Sequence, residues 1–355
     1  MLSMKIKRIS VRKILDSAGE WTIEAKLTLD NGLEGIASVP SGISEGRWEA
    51  KTVPTKQAIK EIKEVISPAV VSRKFKGQKE LDGILRNLSC GANASLPVSL
   101  AFCRAAKTLT YPQKIISPKL LILIFEGAKH GNKDLSIQEF MIAVSNVEEG
   151  REGYRKIKLF LERKGLLSTV GAEGGFSPPG VSDEEILRIL KEVLGEKQPL
   201  ALDIAACHRG KQNFDYQKLI ENHPIILLED PYPDNKWTNW TNLTGKIGKK
   251  VLLVGDDLTA TLPERIKEAV RRKAVGGVVI KPDQRKTLTE VLEAIEVAKK
   301  NNLRIVISHR GRETNETFIA DLAVAVQADY VKFGAPVRGE RVAKYNRLLE
   351  ILREY

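Results

Sequence analysis

The runs LALDIA (residues 200–205), IILLED (225–230), VLLVGDD (251–257), GVVIKP (277–282), RIVISH (304–309) and YVKFG (330–334) decide the fold. Each is short and apolar and carries an ionisable side chain at or near its end: Asp203, Glu229, Asp256, Lys281, His309 and Lys332. Successive separations are 26, 27, 25, 28 and 23 residues (229−203, 256−229, 281−256, 309−281, 332−309), each the length of one strand and a returning helix. Amphipathic helical patterns fill the gaps near 262–273, 287–301 and 315–327, and another follows near 338–353. Nearly continuous apolar strands imply a parallel sheet covered on both faces. With Ile137–Val144 and a helix near 148–164 upstream, the pattern amounts to about eight units, a (β/α)8 barrel of the TIM type. A doubly wound open sheet is the runner-up, but no GxGxxG follows an early strand.

In a barrel the carboxyl ends of the strands converge on one mouth, where active sites sit. A single charge closing an apolar strand reads as a solvated end. Six in register need partners or a metal, because burying unpaired charge is costly. Three acids on neighbouring strands offer hard oxygen ligands, suited to Mg²⁺ or Mn²⁺ rather than zinc. Lys281 follows on the next strand and Lys332 two strands later. A lysine crowded by a metal and other cations is expected to have a lowered pKa and to act as a base. A lysine base working beside Mg²⁺ on an ene-diolate abstracts a proton next to a carboxylate.

The amino-terminal part reads as α+β. Residues 4–12 alternate as a strand, 21–39 form a hairpin around Asp30-Asn31-Gly32, and helical patterns follow near 55–66 and 93–108. The expected division is an amino-terminal α+β capping domain over 1–125 and a catalytic barrel over 126–355. The chain has 355 residues, 42% apolar and 29% charged, as in ordinary globular proteins. It contains no apolar run of membrane-spanning length and no secretory leader pattern. Three cysteines without CxxC spacing argue against a disulfide framework and for a reducing, cytoplasmic location. The net charge of +12 is spread among glutamates along helices, which reads as solvated faces and makes a nucleic-acid partner unlikely.

The stretches 251–266, 278–301 and 304–352 resemble the carboxyl-terminal half of enolase, the glycolytic phosphopyruvate hydratase. They carry GDDL, SHR-x-x-ET-x-x-TFIADL and K-x-GAP-x-R-x-ER-x-AKYN. QEFMI (138–142), EGGF (173–176) and LEDP (228–231) add support, and DSAGEWTIE (16–24), VPSGIS (39–44) and GANASLPVSLA (91–101) resemble the amino-terminal domain of that family. The resemblance implies that Asp203, Glu229 and Asp256 bind one Mg²⁺ and that Ser44, on a mobile loop, helps bind a second. It implies that Lys281 takes the C2 proton of 2-phosphoglycerate and that Glu173, with Glu139 and Gln138 close by, protonates the departing C3 hydroxyl. Lys332 would hold the substrate carboxylate, Arg310 the phosphate, and His309 would line the site. His130 matches a histidine on a second mobile loop. A homodimer or higher homo-oligomer is implied in the same way. Taken alone, His130 reads as a surface-loop histidine, Ser44 equally well as a loop serine, and a turn glutamate is the minor alternative for Glu173. His208 and His223 match nothing and read as structural.

The chain departs from the family pattern at Ala18 (arginine in DSRGNPT), Glu45 (threonine in PSGAST), Ala172 (aspartate in GDEGGF) and Gly311 (serine after SHR), and KVNQ is Lys281-Pro282-Asp283-Gln284. Three readings follow. The first is enolase proper, dehydrating 2-phosphoglycerate to phosphoenolpyruvate. The second is a paralogue that keeps Mg²⁺ and the lysine base but acts weakly or on another carboxylic acid. The third is a nucleic-acid or scaffold role driven by the basic charge.

Overall fold

The structure is a computed structural model that describes residues 4–40, 46–128, 130–166, 169–208 and 214–354. The amino-terminal part holds a four-stranded sheet in the order β3-β2-β1-β4, built from β1 (Met4–Leu15), β2 (Trp21–Leu29), β3 (Glu34–Ser38) and β4 (Lys74–Phe75). The expected hairpin is β2–β3, and Gly32 supplies the positive φ (+86°) its turn requires. Alternation along β2 sends Ile23, Ala25, Leu27 and Leu29 inward, against the buried helix Ala92–Ala106.

Eight strands close the barrel: β5 (Lys119–Glu126), β6 (Glu139–Val144), β7 (Leu200–Asp203), β8 (Ile225–Glu229), β9 (Leu252–Gly255), β10 (Gly277–Ile280), β11 (Arg304–Ser308) and β12 (Tyr330–Lys332). Because β5 is part of the wall, the barrel begins ahead of the 125/126 division expected from the sequence. The sheet is also not wholly parallel. β6 runs antiparallel to both β5 and β7, while the other neighbours are parallel. Among the described residues of the connection 127–138 there is no helix, and the chain turns back as a hairpin instead of crossing over. Two helices, Val147–Arg163 and Asp183–Leu194, then separate β6 from β7. This reversal puts the first residue of β6, Glu139, level with Asp203 at the end of β7. It also returns the connection between those two helices, which carries Glu173, to the same mouth.

The two parts are joined by hydrogen bonds at the start of a barrel helix. Helix Leu288–Lys300 has Thr287 as its N-cap, and its first N–H groups are met from the other part of the chain. Ser99 Oγ accepts from Leu288 N (3.0 Å), and Asp82 Oδ2 accepts from Thr289 N (2.9 Å) and Thr289 Oγ1 (2.6 Å). Asp82 is fully buried and also receives Ser99 Oγ (2.7 Å) and Gln78 Nε2 (3.0 Å). A carboxylate there meets both unpaired N–H groups and the positive end of the helix dipole. Replacing Asp82 by Ala orphans several buried donors. Asp82→Ala is expected to lower unfolding stability by about 2–4 kcal/mol in urea titrations, with Asp82→Asn losing less.

Candidate active site

At the mouth, one cavity is lined by His130, Gln138, Glu139, Glu173, Asp203, Asp256, Lys281, His309, Arg310 and Lys332. Glu229 lies beneath it, 2.8 Å from Lys332 Nζ. Of the residues expected from the sequence, Ser44 alone lies outside the described residues, together with the departure at Glu45. The backbone of Gln138 is pinned by Asp203 O (2.9 Å) and by Gly127 N (2.9 Å), which fixes the entry to β6.

Lys332 stands among acids. Its Nζ is 3.0 Å from Asp203 Oδ2, 2.8 Å from Glu229 Oε2 and 3.0 Å from Glu139 Oε2. Burial works against its charge, but the three carboxyl groups overcome this and hold the ammonium well above the ordinary lysine range. Burial, with Asp203 beside it, pushes Glu229 up to about 8. Lys281 pairs with Asp256 Oδ2, and its backbone N–H is held by Thr261 Oγ1 (2.9 Å). The lowered lysine pKa is the expectation beside a bound metal, whereas here Lys281 faces Asp256. Burial pulls the ammonium down, but the charge of Asp256 outweighs it and the pKa lies above normal.

The acid groups line the same cavity. His130 Nδ1 lies 3.3 Å from Glu173 Oε1 and 3.9 Å from Glu139 Oε1. His309 Nδ1 faces Arg341 Nη1, and an arginine can only donate. Nδ1 therefore accepts, and the ring proton sits on Nε2, 3.1 Å from Glu173 Oε2. A second proton would have to go on Nδ1, against Arg341. Burial first, and then Arg341, lower His309 to about 4. Glu139 and Glu173 are driven apart. Burial raises Glu139 well above the carboxylate range, while His309 and His130 outweigh burial at Glu173 and hold it well below. In this state the proton of the pair rests on Glu139.

Glu173 is positioned by its own turn. Glu126 Oε1 accepts from Glu173 N (2.7 Å) and Gly175 N (3.3 Å), and Tyr154 donates to Gly174 O (2.7 Å). Gly171 is required there, since a Cβ would meet Glu126 Oε2 at 1.5 Å. Ala172 leaves a backbone bond to His130 O (2.9 Å).

Two comparisons bear on this arrangement. The chain matches the family descriptions "Enolase, N-terminal domain" over residues 6–112 and "Enolase, C-terminal TIM barrel domain" over 114–213 and 205–355. An enolase of Corynebacterium kroppenstedtii is 36% identical over 400 aligned positions, covering 97% of this chain and 94% of the relative. The chain belongs to the enolase family. Its enzyme class is that of a hydro-lyase of the phosphopyruvate hydratase type.

Within that family the donor set suits a hard divalent cation. Glu229 Oε1 is buried with no hydrogen-bond partner, and a lone acceptor among carboxylates is what such an ion satisfies. The side chains are not yet gathered for it. Asp203 and Glu229 turn to Lys332 and Asp256 to Lys281. Among the described residues, the triples close enough to share one ion are Asp230–Asp256–Asp257 and His130–Glu139–Glu173. Asp230 is engaged in holding the next strand end, since its two oxygens accept from Asp256 N (3.0 Å) and Asp257 N (2.8 Å).

Sequence reasoning missed four contributors. Glu49 and Asp283 both contact Arg310, Arg341 fixes the His309 tautomer, and Glu126 shapes the Glu173 turn. Arg341 lies inside the R-x-ER-x-AKYN motif, so a signal existed there; the others carry no periodic or terminal mark. His208, expected to be structural, instead lines the cavity with Nε2 3.2 Å from Asp257 Oδ2. His223 lies 3.7 Å from Glu184 and does not line this cavity.

The tautomer has a measurable consequence. An unfolded histidine takes its proton near pH 6.5, whereas His309 in the folded site takes it only near 4. Stability tied to this group is full above about pH 6.5 and is lost as pH falls toward 4. Between pH 7 and pH 5 the protein is expected to lose about 2 kcal/mol through His309, and urea denaturation of His309→Asn should show a shallower decline.

Proposed function

We propose that the protein is a Mg²⁺-dependent enolase that interconverts 2-phosphoglycerate and phosphoenolpyruvate in glycolysis and gluconeogenesis. The observation that carries this reading is the meeting, in one cavity, of Lys281 with Asp256 and of the Glu139–Glu173 pair with the carboxylates around Lys332. A base after β10 and an acid on β6, on non-adjacent strands of one mouth, suit removal of H⁺ from C2 and of hydroxide from C3 of the same small acid.

Each residue has a task in that reading. Lys332 binds the substrate carboxylate with its ammonium. Arg310 takes the phosphate, which its planar fork fits. Lys281 Nζ receives the C2 proton. Glu173 delivers a proton to the C3 hydroxyl, which leaves as water; Glu139 carries that proton beforehand, and His130 lies between the two acids. His309, held neutral, places its protonated Nε2 3.1 Å from Glu173 Oε2. Asp203, Glu229 and Asp256 would hold Mg²⁺, with Mn²⁺ as a substitute, and Ser44 would contribute to a second Mg²⁺. The ion supplies positive charge that stabilises the substrate's developing enediolate. Lys281 abstracts a proton only when neutral, so binding that engages the charge of Asp256 favours the base form.

A second reading rests on a specific observation. Arg310 is already paired with Glu49 and Asp283, which favours a paralogue with weak activity or with another carboxylic acid as substrate. A homodimer in the cytoplasm accords with the family, and Leu15 (56% exposed) and Trp21 (52%) offer apolar surface on the outer sheet. Among the described residues no helix is long and apolar enough to cross a membrane.

Phosphoenolpyruvate absorbance decides between the readings. Addition of 2-phosphoglycerate with Mg²⁺ is expected to give a steady rise that stops with a chelator. Lys281→Ala should lower kcat by roughly 10²–10⁴-fold. A folded, Mg²⁺-binding protein that forms no phosphoenolpyruvate would reject the first reading in favour of the second.

A further inference from the structure

Arg310 is engaged on every side. Its Nη1 and Nη2 make a fork to Glu49 Oε1 (3.1 Å) and Oε2 (3.0 Å), and its Nε lies 3.2 Å from Asp283 Oδ2. The arginine and Glu49 side chains are 6% and 7% exposed, so little water screens the pair. One guanidinium therefore faces two carboxyl groups, and every guanidinium nitrogen already points at a carboxylate oxygen. A planar fork matches one oxyanion group at a time. A phosphoryl group arriving here would meet surplus negative charge and an occupied fork.

The two acids differ in freedom. Asp283 lies in the short turn Pro282–Gln284, directly after the β10 end, and this turn is locked in the barrel. Gln284 Oε1 accepts from Thr261 Oγ1 (2.6 Å), and its Nε2 donates to Asp256 (3.2 Å). Burial pushes the Asp283 carboxyl up to about 6, with Arg310 pulling it back. Glu49 comes from a segment of the amino-terminal part laid over the mouth. The backbone of that segment is docked: Ala50 N donates to Gln284 O (3.0 Å), and Trp48 Nε1 to Asp234 (2.6 Å). The Trp48 ring is held beneath Arg265, 4.5 Å from its centroid. The Glu49 side chain, by contrast, has besides Arg310 a backbone contact on its own segment, Gly46 N donating to its Oε1 (2.9 Å).

We infer that Glu49 is a built-in competitor for the anion subsite at Arg310, whose carboxylate holds the fork until the phosphoryl group of the substrate displaces it. The inference rests on the proposed function only in taking Arg310 as the phosphate subsite. Glu49 then sets specificity. A ligand must offer a better oxyanion than a carboxylate to enter, so phosphate esters gain over plain carboxylic acids. The cost appears in the affinity for every anion.

The test is inorganic phosphate binding to the full chain, by calorimetry at fixed Mg²⁺, for the wild type, Glu49→Gln and Glu49→Asp. Glu49→Gln removes the charge. Glu49→Asp keeps the charge but is too short to make the fork. Both are expected to bind phosphate at least five-fold more tightly than the wild type. Unchanged or weaker binding in Glu49→Gln overturns the inference. Wild-type affinity in Glu49→Asp overturns it as well, because general charge rather than occupancy of the fork would then be responsible. The substrate assignment fails separately. If 2-phosphoglycerate is not turned over while both variants bind phosphate more tightly, the competitor stands and the substrate falls. Normal turnover with unchanged binding gives the reverse.

Discussion

One buried cation organises this molecule. Lys332 is 3% exposed at the end of β12, and its ammonium is shared by Asp203, Glu229 and Glu139 from three adjoining strands. None of the four groups is tolerable in a sealed barrel alone. The carboxyl groups repel one another and are costly to desolvate, and the lysine makes their approach possible. The same cluster leaves Glu229 with an unmet oxygen and a raised pKa, the condition in which a divalent ion is welcome. Structure and chemistry therefore draw on one arrangement of charge.

The amino-terminal part completes that arrangement from outside. Its sheet and the helix Ala92–Ala106 form a cap docked through Asp82 and Ser99 on the start of a barrel helix. The segment carrying Trp48 and Glu49 then reaches over the mouth, where Glu49 meets Arg310 at the end of β11. A barrel without this cap would keep the lysines and metal-type carboxylates and lose the partner that now governs the arginine.

The barrel was legible because charged residues recur at strand-helix intervals, and apolar runs interrupted so regularly fit few folds besides a ring of strand-helix units. The reversed direction of β6 was not, because a strand buried on both faces looks the same read either way. The pairing of Lys281 was not legible for an electrostatic reason. Sequence shows which charges lie at neighbouring strand ends but not which two side chains turn to each other, and Asp256 turned to the lysine. The Glu49–Arg310 pair joins positions 261 residues apart and depends on how one domain lies on the other, which no local pattern records. Arg341 shows the intermediate case. The motif containing it is plain in the sequence, while its effect on the His309 ring depends on how the last helix folds back on the end of β11.

Closure of the wall has a consequence for how the chain is made. β5, the first strand of the barrel, is bonded along one edge to β12, the last, at Lys119–Tyr330, Leu120–Val331 and Leu121–Lys332. A ribosome releases the acids at 139, 203 and 229 long before the lysine that neutralises them. Nascent chains that have emerged only as far as β11 carry an open sheet edge and an uncompensated knot of negative charge. The amino-terminal sheet can mature early, but the catalytic half must wait for its final strand. Premature termination anywhere before residue 332 leaves a product without its counter-ion, and quality control meets such a product as an unfinished sheet rather than as a slow enzyme.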